Sequence, residues 1–372
     1  MGSRRFQWRH LVVVALATAV MACGSGGDVR VGADDQDRMH VPGGPDGLVG
    51  WPDDMYYATS TVLGGRAWVV TQVESSEEDA PGEDFVLWRV DDDGSSVSMA
   101  DLSDLERPPR LWIADEALFV FVKRCLEGRD CDVSNEGVVW VFGADGSVLA
   151  EGVALGTAGS PFGDRDGSVW IDAHPEVVRV DRSGAVVERV PLEGTAPCLF
   201  DGELFSVDGS DRFPLVGGSG DELGPPRTWP VLRWDGAGWV AHGDPLVVAP
   251  TEDARCHRRG VETSAIRAMG VPARYWTPDG GEVTVPQPET LPDGADQEMV
   301  TMSDGRLRAI SQGRTVVVRE EGTAAFSEIE VPRRDDGRIE RLYSYDTDGE
   351  TAIVCGLRTD NRSPLECQVI AP

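Results

Sequence analysis

The stretch Asp166-Gly-Ser-Val-Trp-Ile-Asp-Ala-His-Pro-Glu-Val-Val-Arg-Val-Asp-Arg-Ser-Gly-Ala-Val-Val-Glu-Arg-Val-Pro-Leu192 decides the fold of this chain. It contains three short runs rich in Val, Trp and Ile, which are separated by Asp-Gly and Ser-Gly pairs. Such pairs are typical of tight turns, because glycine readily takes the left-handed backbone conformation that other residues avoid. The stretch therefore predicts antiparallel strands joined by short hairpins.

Variants of this stretch recur along the chain, and each variant is called a unit below. A turn followed by an apolar run opens at Gly64, Asp115, Asp166, Asp201, Arg259, Asp304 and Asp348. A later turn in the unit closes at Gly94, Gly146, Gly184, Gly238, Gly280 and Gly322. The first turns are on average about 47 residues apart, which is the spacing of propeller blades.

Each unit contains four apolar segments, and the middle ones are apolar at consecutive positions, as in Phe85–Val90 and Gly137–Phe142. Continuous apolar runs indicate strands that are covered on both faces, as they are in a blade between two neighbours. We predict an all-β β-propeller of seven four-stranded blades, with six or eight as alternatives, and almost no helix. The last unit is one strand short, so we expect an N-terminal strand near residues 46–51 to close the ring.

The N-terminus carries an export signal. Three Arg residues precede the apolar run Leu11–Val20, which is too short to span a bilayer, so residues 1–22 are predicted to be a signal peptide. The end of this segment, Val20-Met-Ala-Cys23, resembles the lipobox of bacterial lipoproteins. The resemblance implies a diacylated Cys23 that anchors an outward-facing, extracytoplasmic body in the cell membrane. We interpret residues 23–50, rich in Gly, Asp and Pro, as a flexible tether, and residues 51–372 as the propeller domain.

The chain is strongly acidic. Its formal charge is −30, and loss of the signal peptide removes three Arg and no acid, which gives −33. This charge argues against binding to nucleic acid or to an anionic membrane surface, since both require a basic footprint. We therefore expect no nucleic-acid partner.

Six cysteines remain besides Cys23, and an even number in an exported protein favours disulfides. Six Cys allow 15 connectivities, which the register of the units narrows. Cys125 with Cys131, and Cys355 with Cys367, can each pair across a hairpin of one unit. Cys198 and Cys256 then remain to link neighbouring blades. We expect no metal centre, because the sequence has no Cys-x-x-Cys motif and no nearby His pair.

Long connections between the second and third strands of units one, two and four, at 74–84, 124–136 and 208–229, share one face with the links between blades. The tight turns share the other face. We predict that a protein or cell-envelope ligand binds on the face of the long connections.

One basic cluster stands out, at Arg255, His257, Arg258 and Arg259. It is a candidate anion-binding or acid–base site, because Arg offers a fork for carboxylate or phosphate and His titrates near neutral pH. The alternative interpretation is a solvated cluster that neutralises nearby acids. The acidic runs at Asp91–Gly94, Asp208–Asp211 and Asp346–Glu350 are explained by turn chemistry, and none completes a calcium loop.

The unit Asp166–Val190 resembles blades of the streptogramin lyase-like propellers, in which Asp-Gly-x-Val-Trp opens a strand and Val-x-Arg-Val-Asp-x-x-Gly forms the next hairpin. The resemblance implies the fold. The lyases of that family use a His and an acidic residue with a divalent metal, and no motif in this sequence assigns those roles.

Together these features favour a monomeric, non-catalytic, lipid-anchored platform that needs no cofactor and binds a protein or cell-envelope ligand. The alternative is an extracytoplasmic lyase or hydrolase with a site in the central funnel near His257. A third hypothesis is a sugar- or calcium-dependent envelope-binding module.

The disulfide prediction can be tested by mass spectrometry. The unreduced mature protein should show no free thiol when treated with an alkylating reagent, because its six cysteines are paired. Labelling of three thiols would contradict the prediction.

Overall fold

A computed structural model of the chain describes residues 38–44, 47–52, 55–73, 83–105, 107–125, 135–156, 159–194, 196–207, 227–248, 252–256, 260–265, 273–278, 282–285, 300–301, 306–310, 315–319, 326–330, 341–357 and 366–370. These residues form strands and turns and contain no α-helix, which confirms the all-β prediction. The signal peptide and Cys23 lie outside the described residues and stay predictions.

The first two units follow a short N-terminal strand, β1, at His40–Val41. Unit one comprises β2 (Met55–Leu63), β3 (Arg66–Val73), β4 (Glu83–Val90) and β5 (Ser96–Leu105), and unit two comprises β6 (Arg110–Ala114), β7 (Ala117–Cys125), β8 (Asn135–Gly143) and β9 (Val148–Ala154). Consecutive strands within each unit pair antiparallel, and one further pair, Leu105 with Arg124, joins the two units into a continuous sheet.

Unit three comprises β10 (Ser160–Arg165), β11 (Ser168–Ala173), β12 (Glu176–Val180) and β13 (Val186–Pro191). Unit four begins with β14 (Ala196–Phe200) and β15 (Glu203–Val207), continues with β16 (Arg227–Trp229), β17 (Val231–Trp234) and β18 (Trp239–Ala241), and ends with β19 (Leu246–Val248). Here β16 pairs with β19 as a separate ribbon, while β14, β15, β17 and β18 form the four-stranded sheet.

The remaining units continue the pattern. Unit five comprises β20 (Glu252–Cys256), β21 (Val261–Ala265), β22 (Ala273–Trp276) and β23 (Glu282–Val285). Unit six comprises β24 (Val300–Thr301), β25 (Leu307–Ile310), β26 (Thr315–Arg319) and β27 (Phe326–Glu330), and unit seven comprises β28 (Arg341–Thr347), β29 (Ala352–Leu357) and β30 (Glu366–Ile370). The described strands thus follow the repeats seen in the sequence, including the missing last strand. The blade number of the complete ring stays a prediction.

The core lies between units. In β3, for example, Trp68 and Val70 pack against unit two, while Ala67 and Val69 pack against unit seven. Further clusters fill the spaces between units two and three, three and four, four and five, and six and seven. Side chains on a strand alternate between the two faces of a sheet, so a strand apolar at every position needs a neighbour on both sides.

First strands of successive units lie next to each other around an axis. Contacts run from β2 to β6, β10, β14 and β20 in turn, and from β28 back to β2. The chain therefore returns to its start, and the first and last units share an interface.

The N-terminal residues help to close this interface, as predicted. Leu48 forms an isolated bridge with Gln368 in β30, and the Val49 backbone N–H donates to the Cys367 carbonyl oxygen over 2.9 Å. The closing element is thus a single bridge, shorter than the strand we expected.

Part of the segment interpreted as a tether belongs to the folded body. β1 pairs antiparallel with the outer strand β5, with His40 opposite Val97 and Val41 opposite Ser96. The Ser98 backbone N–H also donates to the Met39 carbonyl over 2.9 Å. Residues 38–44 and 47–52 therefore lie along the outer edges of units one and seven.

A polar network joins the first strands of the first and last units, β2 and β28. The Asp346 carboxylate in β28 is buried and accepts hydrogen bonds from the Thr61 hydroxyl at 2.9 Å, the Val62 N–H at 3.2 Å and the Thr347 N–H at 2.9 Å. Nearby, the Gly65 N–H donates to Asp348 over 2.8 Å. One buried carboxylate thus satisfies donors from both ends of the chain.

We expect Asp346→Ala to destabilise the fold by about 2–4 kcal/mol, because it leaves buried donors of both units without their acceptor. The free energy of unfolding from urea denaturation measures this change. Asp346→Asn, which retains one acceptor oxygen, should lose less, and Glu151→Ala on the exposed strand β9 should have little effect. Equal stability of Asp346→Ala and wild type would contradict the proposed role of the carboxylate.

Candidate functional site

The two ends of the ring differ in their connections. Turns from first to second and from third to fourth strands lie at one end, here called the short-turn face, with turns at 64–65, 91–95, 115–116, 143–147, 166–167, 181–185, 201–202, 235–238 and 348–351. The second strands end and the third strands begin at the other end, here called the long-loop face. Residues 74–82, 126–134 and 208–226 of the three long connections lie outside the described residues. The antiparallel order of the strands imposes this division, as the sequence predicted.

Turns from first to second strands have the conformation that Asp-Gly pairs favour. Asp166 and Gly167 have φ angles of 51° and 69°, and Asp201 and Gly202 have 47° and 77°. Two successive positive φ values define the hairpin turn whose twist matches that of the flanking strands. These turns therefore hold their carboxylates at the tip of each hairpin.

Turns from third to fourth strands fix carboxylates by local hydrogen bonds. Asp145 accepts from the hydroxyl of Ser147 over 2.7 Å and from its backbone N–H over 2.9 Å, and Asp93 accepts in the same way from Ser95. These bonds to Ser147 and Ser95 are the main causes that lower the pKa of Asp145 and Asp93 below the ordinary value. Hydrogen bonds from the backbone N–H groups of Ala237 and Gly238 likewise lower the pKa of Asp235. All three carboxylates are therefore ionised at neutral pH.

A polar cleft of about 390 Å³ opens on the short-turn face between units one and two. It is lined by Gly64, Gly65, Arg66, Asp91, Asp92, Ala144 and Asp145. The Arg66 Nε lies 3.7 Å from an Asp91 carboxylate oxygen, and its charge adds to the lowering of the pKa of Asp145. The charged residues among those that line it are Arg66, Asp91, Asp92 and Asp145, so the cleft is suited to ionic contacts with a small polar group.

At the long-loop end of unit three, Asp172 is the last residue but one of the second strand, β11. Burial raises the pKa of its carboxyl group. The carboxylate also accepts a hydrogen bond of 3.3 Å from the His174 backbone N–H, which partly offsets the rise in pKa. Asp172 lies opposite Ser160, the first residue of the inner strand β10. A carboxyl with a raised pKa near the axis has the character of a functional group, and His174 beside it is exposed, as expected of a loop residue.

The predicted basic cluster falls at the limit of the described residues. Arg255 belongs to β20, while His257, Arg258 and Arg259 lie outside them, so the cluster stays a prediction. Cys256 and Val261, which flank it, are opposite each other in register. Because they end a first strand and begin a second one, they lie at the short-turn face, opposite to the long connections.

The cysteines occupy the expected units. Cys355 and Cys367 are opposite each other in β29 and β30, with Cα atoms 4.0 Å apart, and form a disulfide. Cys198 and Cys256, in the first strands of units four and five, have Cα atoms 5.5 Å apart, within the range of a disulfide. Cys131 and the side chain of Cys125 lie outside the described residues.

Two observations concern metals and membranes. Within the part of the chain that the structure describes, no group of three or more His, Cys, Asp or Glu side chains is placed to hold a metal ion. In those same residues, no helix has the length and hydropathy needed to cross a bilayer.

Sequence reasoning missed the cleft and Asp172. The cleft is assembled from two kinds of turn that are far apart in the repeat, and their recurrence in each unit was the signal that could have placed them on one face. Asp172 follows the apolar run Val169–Ile171 directly, and this position was a signal of partial burial.

The chain was compared with known families, sequences and structures. No protein-family model matches the chain, and no curated protein matches its sequence. The fold is similar to the β-propeller domain of the trilobed protease from Pyrococcus furiosus, with a TM-score of 0.51 and 10% identity, over 87% of this chain and 96% of that one. It is also similar to virginiamycin B lyase from Staphylococcus aureus, with a TM-score of 0.43 and 12% identity over 90% and 99% of the two chains. Pyrococcus horikoshii acylaminoacyl peptidase gives a TM-score of 0.49 and 10% identity over 87% and 54%.

The strands, their order and this likeness define the class: the chain is an all-β β-propeller. At 10% identity the likeness concerns the fold alone.

The raised pKa of Asp172 predicts that the stability of the fold depends on pH. Its folded pKa is raised, so its contribution is fully present below the ordinary pKa of 3.8 and is lost as pH rises through the folded pKa. Asp172→Asn stays uncharged, so its urea midpoint should exceed that of wild type at about pH 7 and approach it at about pH 3.

Asp145→Asn is the control of opposite sign. The pKa of Asp145 is lowered, so its contribution is present above the ordinary pKa and lost on acidification. This variant should not gain stability at neutral pH. A midpoint for Asp172→Asn that equals wild type at every pH would contradict the burial of the carboxyl group.

Proposed function

We propose that the chain is a lipid-anchored, extracytoplasmic binding platform, which holds a protein or cell-envelope ligand on the long-loop face. The observation that supports this function is the division between a braced face of short turns and an opposite face, at which the strands that flank the predicted long connections begin and end. Binding residues are often carried by loops that a rigid scaffold positions.

Bracing on the short-turn face links neighbouring units. Arg89 of unit one donates to the Asp145 carbonyl of unit two over 2.9 Å, and Arg165 of unit three donates to the Gly202 carbonyl of unit four over 2.7 Å. Arg182 of unit three lies 3.1 Å from the Asp115 carboxylate of unit two. These contacts tie short hairpins to one another, so the scaffold under the opposite face is stiff.

The ribbon of β16 and β19 supports the same assignment. It lies where the connection 208–226 returns to unit four, and its inner side packs through Trp229, Leu246 and Val248 into the core shared with unit five. Val247 on its outer side is 48% exposed. A connection that returns through a packed ribbon adds a fixed surface to the long-loop face.

A second candidate function is an extracytoplasmic lyase or hydrolase. The raised pKa of Asp172 favours it, because a carboxyl group that stays protonated longer can act as a general acid. The sequence candidate for the base, His257, follows Cys256 of β20 in the chain and lies outside the described residues.

A crosslinked pull-down from the native membrane tests the platform, with Cys23→Ala as the matched control that lacks the lipid. A partner that copurifies in stoichiometric amount with the anchored protein, and less with the control, is the expected result. Shortening the connection 208–226 should then abolish the copurification, whereas Arg66→Ala on the short-turn face should not. Retention of the partner by the shortened variant would contradict binding on the long-loop face.

Replacing His257 separates the platform from the enzyme. If the protein is an enzyme with this base, His257→Ala should lower its rate by about 10²–10⁴-fold. A platform should keep its partner in this variant, so loss of an activity with retained folding would favour the second candidate.

A further inference from the structure

The interface between units seven and one has a weakness that the described strands of units one to three do not share. In the described residues, unit seven has three strands, and one bridge, between Leu48 and Gln368, covers the outer edge of β30. In units one to three, by contrast, β4, β8 and β12 each pair along several residues with a fourth strand. A strand with one bridge on its outer side gains few backbone hydrogen bonds there, so it opens more readily.

The disulfide lies at this weak point. Cys355 and Cys367 are both completely buried and belong to the cluster that also contains Val49, Val62 and Trp88. The carbonyl of Cys367 itself accepts the Val49 N–H. The bond therefore ties β30 to β29 at the residue that receives the N-terminal segment.

The N-terminal segment fits against this strand with no space to spare. Gly47 has a φ of 75°, and a Cβ atom at this position would lie 2.6 Å from the Val369 carbonyl oxygen. Only glycine meets both conditions, since other residues avoid this conformation and the close approach excludes a side chain. The position of residues 47–49 thus depends on the position of β30.

From this arrangement we infer that the Cys355–Cys367 disulfide and residues 47–50 form one two-part latch, in which each part holds the other and both together close the ring. Forming the bond fixes β30 in place to receive Val49, and the seated segment covers the bond. The ring therefore closes fully only in the oxidised protein, and reduction loosens the interface between units seven and one before any other.

The chemistry of opening is thiol–disulfide exchange with a dithiol reductant. Two exchanges convert the Cys355–Cys367 bond into two thiols, while the dithiol becomes its cyclic disulfide, so electrons and protons balance. Because both sulfurs are buried, the dithiol reacts when the interface opens locally. The rate of reduction therefore reports how well residues 47–50 hold the latch.

Reduction kinetics in two glycine variants test the inference on the full chain. Gly47→Ala should accelerate reduction of Cys355–Cys367 by dithiothreitol about tenfold or more, since it displaces the segment from β30. Gly236→Ala is the matched control, because Gly236 also has a positive φ, of 95°, but has no atom within 4 Å of an added Cβ. Alkylation and peptide mass spectrometry follow each pair separately, and Cys198–Cys256 serves as a second site in the same molecule.

Equal reduction rates of Cys355–Cys367 in the two variants would overturn the latch. The same acceleration of a Cys198–Cys256 bond would also overturn it, because this would show a general loosening of the fold. Acceleration confined to Cys355–Cys367 in Gly47→Ala is the result that supports it.

Hydrogen exchange tests the reverse direction. In Cys355→Ala/Cys367→Val, which removes the bond and keeps apolar volume, the amide of Val49 and the strands β28 to β30 should lose protection, while β11 and β12 of unit three keep theirs. The matched control is Cys198→Ala/Cys256→Val, which should leave Val49 protected. Wild-type protection of Val49 in the first variant would contradict the inference. If that variant does not fold, the inference is tested by the reduction rates of Cys355–Cys367 in Gly47→Ala and Gly236→Ala.

Discussion

The structure depends on one constraint, which is that every unit must be covered on both faces by another unit. In β3, neighbouring side chains point in opposite directions, so Trp68 lies in the core shared with unit two and Val69 lies in the core shared with unit seven. A unit alone, or a row of units with two free ends, would leave two such faces in water. The apolar area of a buried Trp or Val side chain is worth about 1.5–3 kcal/mol, and each interface contains several. The ring is therefore the form in which these sheets lose all of their exposed apolar faces.

Because of this constraint, the first and last units also have to pack against each other, although they lie at opposite ends of the chain. Other units follow one another along the chain, whereas units one and seven are joined only after the whole ring has formed. Units one and seven are joined by the buried carboxylate of Asp346 between their first strands and by the bridge of Leu48 to Gln368 at the outer edge, while the Cys355–Cys367 disulfide ties β29 to β30 within unit seven. Joining residues so far apart in sequence carries a loop-closure cost, which explains why directional interactions add to hydrophobic packing between these two units.

Much of this fold could be predicted from turns and apolar runs, because both are local properties of the chain. Asp166-Gly167 and Asp201-Gly202 require positive φ values, and the continuous run of β4 requires two neighbours. The pairing of β1 with β5 could not be predicted in this way. Residues 38–44 have the Gly, Pro and polar composition of a tether, and they are ordered by backbone bonds to Ser98 and by packing against the turn at Gly94. The candidate site shows the same limit, since the burial of Asp172 depends on how units pack around the axis.

The position of the N-terminal segment connects the closure of the ring to the proposed anchor. Residues 38–44 and 47–50 run along the outer edges of units one and seven, and 14 residues lie between Cys23 and Arg38. Fully extended, that length reaches at most about 50 Å, so an anchored body stays within roughly its own diameter of the membrane. The segment that would carry the lipid is thus the segment that seats on β30. A pull on an anchor at Cys23 would reach β1 and its antiparallel pairs with β5 before it reached the bridge at Leu48. The pairing of β1 with β5 would then protect the closure of the ring from load at the N-terminus, which gives a physical reason for a strand of two residues at the edge of unit one.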